Sequence, residues 1–329
     1  MEYTYLKNYH VKEVANIILA NYKKARLAMP ILSDKYENIE VHLKEIEKYV
    51  DNKNFVVAID SGKVAGFING FIINEFKGTA KGVLSIPSLH GVADGYDKKY
   101  LYSELYRRVS HLWVGLDCYT HGVMVYLNDK RVIDTWVMNG FGMLVVDAVR
   151  PLEKIDIPNI NNNILIKKAD IRDIINMEHL FKGINKHLSS SPIYLYNSTS
   201  ENYIDEYREW IKTEGNNLWI AEINNKIIGY LKTNTTEINM DELDDNCTMG
   251  INGAYVLPEY RGNHIMARLL NIATDWAIEN GLKRCATDFE SANIEGRGFW
   301  LKYFTPYCYS MIRRVDERNH LNISNQGNK

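Results

Sequence analysis

The chain has 329 residues, long for one compact α+β domain and comfortable for two of roughly 150. Hydrophobic residues make up 46% and charged residues 24%, ordinary for a globular protein, and the formal net charge of -2 gives no reason to expect nucleic acid or an anionic membrane as partner. The four cysteines, Cys118, Cys247, Cys285 and Cys308, have no CxxC spacing, so neither a zinc knuckle nor a disulfide framework is signalled.

The start, "MEYTYLKNYHVKEV", is charged and lacks an apolar signal core, and no stretch of 18 apolar residues follows anywhere. A cytosolic protein is therefore expected. "VKEVANIILANY" then reads as a helix after a first strand. "FVVAIDSGKVAGF" at 55–67 reads as strand, tight polar turn, strand. It matches "LWIAEINNKIIGY" at 218–230 at an offset of 163. A second correspondence aligns "NDKRVIDTWVMNGF" at 128–141 with "ANIEGRGFWLKYF" at 292–304, where Trp136 and Trp300 are 164 apart. Two matches at nearly one offset indicate a duplication. The boundary is placed at "PLEKIDIPNINN", residues 151–162, which carries two prolines and three asparagines and no sustained periodicity. The expected domains are 1–150 and 163–329.

In the second domain a strand at 163–167 precedes a helix at 170–182, with Asp170 as N-cap and Ile171, Ile174 and Ile175 on one face. The acidic segment 236–246, "TEINMDELDDN", lacks EF-hand spacing and reads as a solvated hairpin tip. A strand at 248–257 leads through Pro258 into "EYRGNHIM", followed by a helix over 263–280 with Ile265, Leu269, Ile272, Ala273 and Trp276 at helical spacing. Strand, short turn and helix make a good anion site, because the first helical amides have no internal acceptors and the helix dipole favours negative charge. Arg261 adds multidentate charged hydrogen bonds, and Gly262 permits close backbone approach. These residues alone leave a plain surface turn as open as a phosphate site. Walker-type and dinucleotide fingerprints are absent.

The stretch "VLPEYRGNHIMARLLNIATDWAIENG" resembles the acetyl-CoA-binding segment of the GCN5-related N-acetyltransferases (GNAT), whose motif is Gln/Arg-x-x-Gly-x-Gly/Ala. The resemblance places the Gln/Arg position at Arg261, the first motif glycine at His264 and the Gly/Ala position at Met266, so two small residues are replaced by large ones. It implies an α+β fold: two acyl-CoA N-acyltransferase-like domains, each a mixed central sheet flanked by helices. The first has no equivalent of Arg261-Gly262 and is expected to be degenerate. It further implies acetyl-CoA as cosubstrate, bound through Tyr255, Val256, Arg261, Gly262, Asn263, His264, Ile265, Met266 and Asn293, with no metal. The family's usual tyrosine acid falls at Trp300, an indole that cannot give a proton. Tyr309, or Tyr307, is the substitute candidate for proton transfer, and Glu290 the candidate base or amine ligand. The expected activity is acetyl transfer to a primary amine, of a small molecule or a peptide, by a monomer or homodimer. The alternative is a non-catalytic acyl-CoA-binding sensor or scaffold, which Trp300, His264 and Met266 favour. A tRNA-dependent peptidyl-transfer role is disfavoured by the near-neutral charge.

Overall fold

The computed structural model describes residues 1–78, 81–158, 163–196, 202–235, 241–243 and 245–319. Two compact units emerge. The first is Met1–Val146 together with the chain from Tyr307 onward; the second is Asp147–Pro306.

The first unit runs β1 (Glu2–Tyr5), α1 (Val11–Ala28), α2 (Ile39–Glu47), β2 (Val56–Asp60), β3 (Lys63–Ile68), β4 (Phe71–Ile73), β5 (Gly82–Ser85), β6 (His90–Val92), α3 (Lys98–Gly115), β7 (Thr120–Tyr126), α4 (Lys130–Met138) and into β8 (Gly142–Pro151). The second holds β9 (Leu165–Lys168), α5 (Glu178–Leu188), α6 (Tyr203–Trp210), β10 (Asn217–Ile223), β11 (Lys226–Asn234), β12 (Thr248–Val256), α7 (Ile265–Glu279), β13 (Arg284–Glu290) and α8 (Ile294–Tyr303), with β14 (Thr305–Arg314) at the C-terminal side. Against the expected domains of 1–150 and 163–329, the changeover falls at Val146/Asp147 and most of β14 is counted with the first unit.

The duplication is visible in backbone detail. Hairpins β2–β3 and β10–β11 turn through residues with positive φ, Ser61-Gly62 and Asn224-Asn225. This is the twist that two-residue hairpins prefer, and it suits glycine and asparagine. Each hairpin carries a bulge at the same place, after Ala58 in one and after Ala221 in the other, 221 − 58 = 163 residues apart. Such a bulge leaves one residue unpaired and bends the strand.

The units differ at the next strand. In the second, β12 is continuous: Thr248–Ile251 pair parallel with β13, and Gly250–Val256 pair antiparallel with β11. The two partners separate beyond Ile251, and a slot opens. In the first unit the corresponding strand is cut in two. Its early half, β5, pairs parallel with β7, and its late half, β6, pairs antiparallel with β3. β14 completes this unit, pairing antiparallel with β7 from Cys308↔Tyr126 to Arg314↔Thr120 and burying Met311 in the core built by α3, α4 and β7.

Two local expectations are corrected. The helix read from Asp170 starts only at Glu178; Asp170 closes a turn by accepting from the Arg172 amide, and of the three isoleucines only Ile174 is buried. The described part of the acidic segment is not a solvated tip: Glu242 is buried and Asp245 forms an ion pair with the buried Arg284. Residues 236–240 and 244 lie outside the described residues. The stretch 151–158 is strapped down, with Ile155 buried and exchanging two hydrogen bonds with the Asn271 side chain.

Candidate active site

A cavity of about 500 Å³ lies in the second unit where β12 leaves β13. Its walls come from the end of β12, the turn before α7, the first turn of α7, the C-terminal end of α5 and one side of α8. Tyr255, Val256, Arg261, Gly262, His264, Ile265, Met266 and Asn293 all line it.

The turn is shaped by left-handed backbone. Gly262 has φ +80 with nothing near a would-be Cβ, so conformation rather than space demands the glycine. His264 has φ +56 and stands directly before α7. The family motif's glycine at this position is thereby explained physically, and histidine is among the residues enriched in that region. The His264 side chain does not cap α7, and the first intrahelical bond runs from the Arg268 amide to the His264 carbonyl. The amides of Ile265, Met266 and Ala267 have no acceptor within the helix and sit at its positive end. Asn263 is not in the wall; its side-chain amide donates to the Tyr260 and Arg261 carbonyls and holds the turn.

Arg261 is pre-set rather than loose. Its Nε donates to the Val256 carbonyl at 3.1 Å, and its guanidinium carbon lies 5.5 Å from the Tyr255 ring centre. Glu295 approaches one terminal nitrogen at 3.9 Å, an ion pair too long for a hydrogen bond. Tyr255 is held in turn by α5. A Cβ on Gly183 would come within 2.7 Å of the Tyr255 ring, so only glycine allows this approach.

Asn293 caps α8 through Oδ1, which accepts from the Gly296 amide at 3.0 Å, and the same oxygen lies 3.1 Å from Nε2 of His187. Trp300 is buried, edge-on to both Phe299 and Phe304, and Phe299 meets Tyr303 edge-on in the same way. Two proton-bearing groups that sequence reasoning missed, His187 and Tyr303, are in the wall. Neither belongs to a motif. Tyr303 alone had a legible signal, three residues beyond Trp300 and so on a neighbouring face of the same helix.

Glu290 and Tyr309 are not brought to the wall. Glu290 ends β13, its carbonyl accepting from the Asn293 amide. Tyr309 lies on β14 opposite Val125 and packs against the first unit's core. Among the described residues no cluster of His, Cys, Asp or Glu is arranged to hold a metal, and no helix is long and apolar enough to cross a membrane.

Residues 181–304 match the family model described as Acetyltransferase (GNAT) family. The whole chain shares its fold with a GCN5-related N-acetyltransferase from Sphaerobacter thermophilus, at 12% identity, TM-score 0.61 and 95% coverage of both chains. It is also similar in fold to a tandem GNAT protein from the clavulanic acid biosynthesis pathway, at 12% identity and TM-score 0.50, covering 96% of this chain and 98% of that one. No curated protein sequence matches. Residues 181–304 of the second unit thus carry a GNAT-family domain, and the fold of the chain is a tandem of two acyltransferase-like domains.

Proposed function

We propose that the second unit binds acetyl-CoA in this cavity and transfers the acetyl group to a primary amine. The observation that carries the reading is the uncapped start of α7 opening on the cavity, with Arg261 already fixed beside it. A pyrophosphate fits this donor set: the Ile265, Met266 and Ala267 amides point at it, Gly262 and His264 bend the backbone around it, and Arg261 turns its remaining N–H groups toward it. Met266 and His264 replace small residues of the motif, yet donation comes from the backbone, so the larger side chains do not remove it. Asn263 supports the turn from outside.

The acyl arm would lie along Tyr255 and Val256, where β12 has left β13 and its backbone has lost one set of partners. A main-chain amide there polarises the thioester carbonyl as negative charge develops on oxygen. Asn293 fixes the arm from the opposite wall. Acetyl transfer requires a neutral amine nucleophile and a proton for the leaving sulfur. Tyr303 supplies a hydroxyl in the wall for the second need. Glu290, at the end of β13, remains a candidate ligand for a cationic amine, and Tyr309 a candidate acid, though neither faces this cavity.

The test is calorimetric titration with acetyl-CoA. Arg261→Ala is expected to weaken binding by about tenfold or more, the loss of one charged multidentate partner. An unchanged dissociation constant would move the phosphate site elsewhere. Binding without transfer to any amine would favour the non-catalytic acyl-CoA sensor instead.

A further inference from the structure

We infer that His187 is the base that takes the proton from the incoming amine, oriented by Asn293. The assignment rests on the acyl-transfer reading above and adds a residue to it.

Hydrogen-bond logic fixes the tautomer. The Gly296 backbone N–H can only donate, so the Asn293 atom facing it is the amide oxygen. An amide oxygen cannot donate, so Nε2 of His187, 3.1 Å from the same atom, carries the proton. In the neutral ring Nδ1 therefore holds the lone pair, and it has no hydrogen-bond partner among the described residues. In the core of the first unit, by contrast, His90 and His121 have both ring nitrogens engaged by neighbours. His187 is half-buried in the cavity wall, and no described carboxylate pairs with it. Arg261, His264, Glu295, Lys302 and Tyr303 share that wall, with Lys186 next to it on α5. Among them Glu295 is turned to Arg261, and His264 is at the phosphate end.

A base held by a third group through its other nitrogen is the arrangement that general-base catalysis uses. Here one amide serves two ends of the reaction. Asn293 Oδ1 holds His187, which leaves Nδ2 for the acyl arm, so base and thioester are tied to one side chain. The acceptor ammonium gives its first proton to Nδ1, and from there it passes to solvent. The nitrogen lone pair attacks the thioester carbon, the C–N bond forms, and the C–S bond breaks with its electron pair on sulfur. Tyr303 gives its hydroxyl proton to that thiolate and is restored by the second nitrogen-borne proton.

The experiment measures thiol release from acetyl-CoA with a polyamine, an aminoglycoside, an amino acid and a lysine peptide as acceptors. His187→Gln keeps an N–H donor for Asn293 but has no basic nitrogen. It is expected to lower kcat about 100-fold while the acetyl-CoA dissociation constant stays within about threefold. His187→Ala should lose the same activity and regain part of it with added imidazole. Retained acetyl-CoA binding shows that each variant is folded. Wild-type turnover with a kcat for His187→Gln within about threefold of it overturns this assignment alone. Weakened acetyl-CoA binding at unchanged saturating kcat also overturns it, reducing His187 to a support for Asn293. A wild-type protein that binds acetyl-CoA and transfers to none of the amines overturns both readings.

Discussion

His264 is where the residue scale is most instructive. A large side chain stands where the family motif has glycine, and the backbone keeps the glycine's left-handed conformation. Left-handed backbone costs a non-glycine residue about 1 kcal/mol. His264→Gly is therefore expected to raise the unfolding free energy by about 0.5–1 kcal/mol in a denaturant titration, with acetyl-CoA affinity within about threefold because the donors are main-chain amides. A β-branched residue there should do the opposite. A large affinity loss in His264→Gly would show that the imidazole itself holds the phosphate. The spacing of Arg261, Gly262 and His264 was legible in the sequence because a turn and its helix are local. His187 was not legible, since a histidine in the last turn of a helix carries no pattern and its partner is 106 residues away.

At the scale of elements, comparing the two units shows what degeneracy means physically. α7 begins without a side-chain cap, whereas α3 is capped by the Asp97 carboxylate, which accepts from the Lys99 and Tyr100 amides. The first unit has put its own anion where the second leaves room for one. Lys98 then pairs with Asp129 at 2.7 Å, and Asp129 caps α4 as Asn293 caps α8. The cavity at the start of α3 measures about 930 Å³, and its wall sets the carboxylates of Asp94, Asp97, Asp129 and Asp134 among Lys98, Lys99 and Arg131, so it is not a purely cationic cradle. Asp97→Ala should cost about 1 kcal/mol of stability, the usual worth of an N-cap, and leave acetyl-CoA stoichiometry at one. Calorimetry reporting a second site in the unmodified protein would contradict this account. The hairpin repeats announced themselves through alternation and turn residues. The helix expected from Asp170 failed because three isoleucines at near-helical spacing do not reveal that only Ile174 faces inward.

For the whole molecule, acid sensitivity is concentrated in the first unit. His90 donates through Nε2 to the Met124 carbonyl and His121 to the Cys118 carbonyl, while Tyr102 and Tyr106 hydroxyls face their Nδ1 atoms. Burial pushes both rings down to about 4. The unfolded chain takes up these protons first, so the stabilisation is fully present above the ordinary histidine value and is lost as pH falls through about 4. Each histidine is worth about 3 kcal/mol across that window. Thermal melts between pH 7 and 4 should show a falling midpoint, and His121→Gln should flatten the slope; a pH-independent midpoint would sink the argument. The partner of β14 lay beyond sequence reasoning, because an alternating strand shows its buried face but not the edge it will join.

That last strand has a consequence for how the protein is made. The chain leaves the first unit at Val146 and supplies β14 to it only from Tyr307. At ordinary rates of synthesis the interval is on the order of ten to thirty seconds, long enough for most domains to fold. The half that is translated first is thus completed last, and the edge of β7 waits unpaired on the ribosome, in the state most open to wrong partners. A chain stopped at Pro306 should reproduce that waiting state: proteases would cut within 1–146 and spare 147–306. Equal resistance of both parts would show that the first unit closes without its final strand.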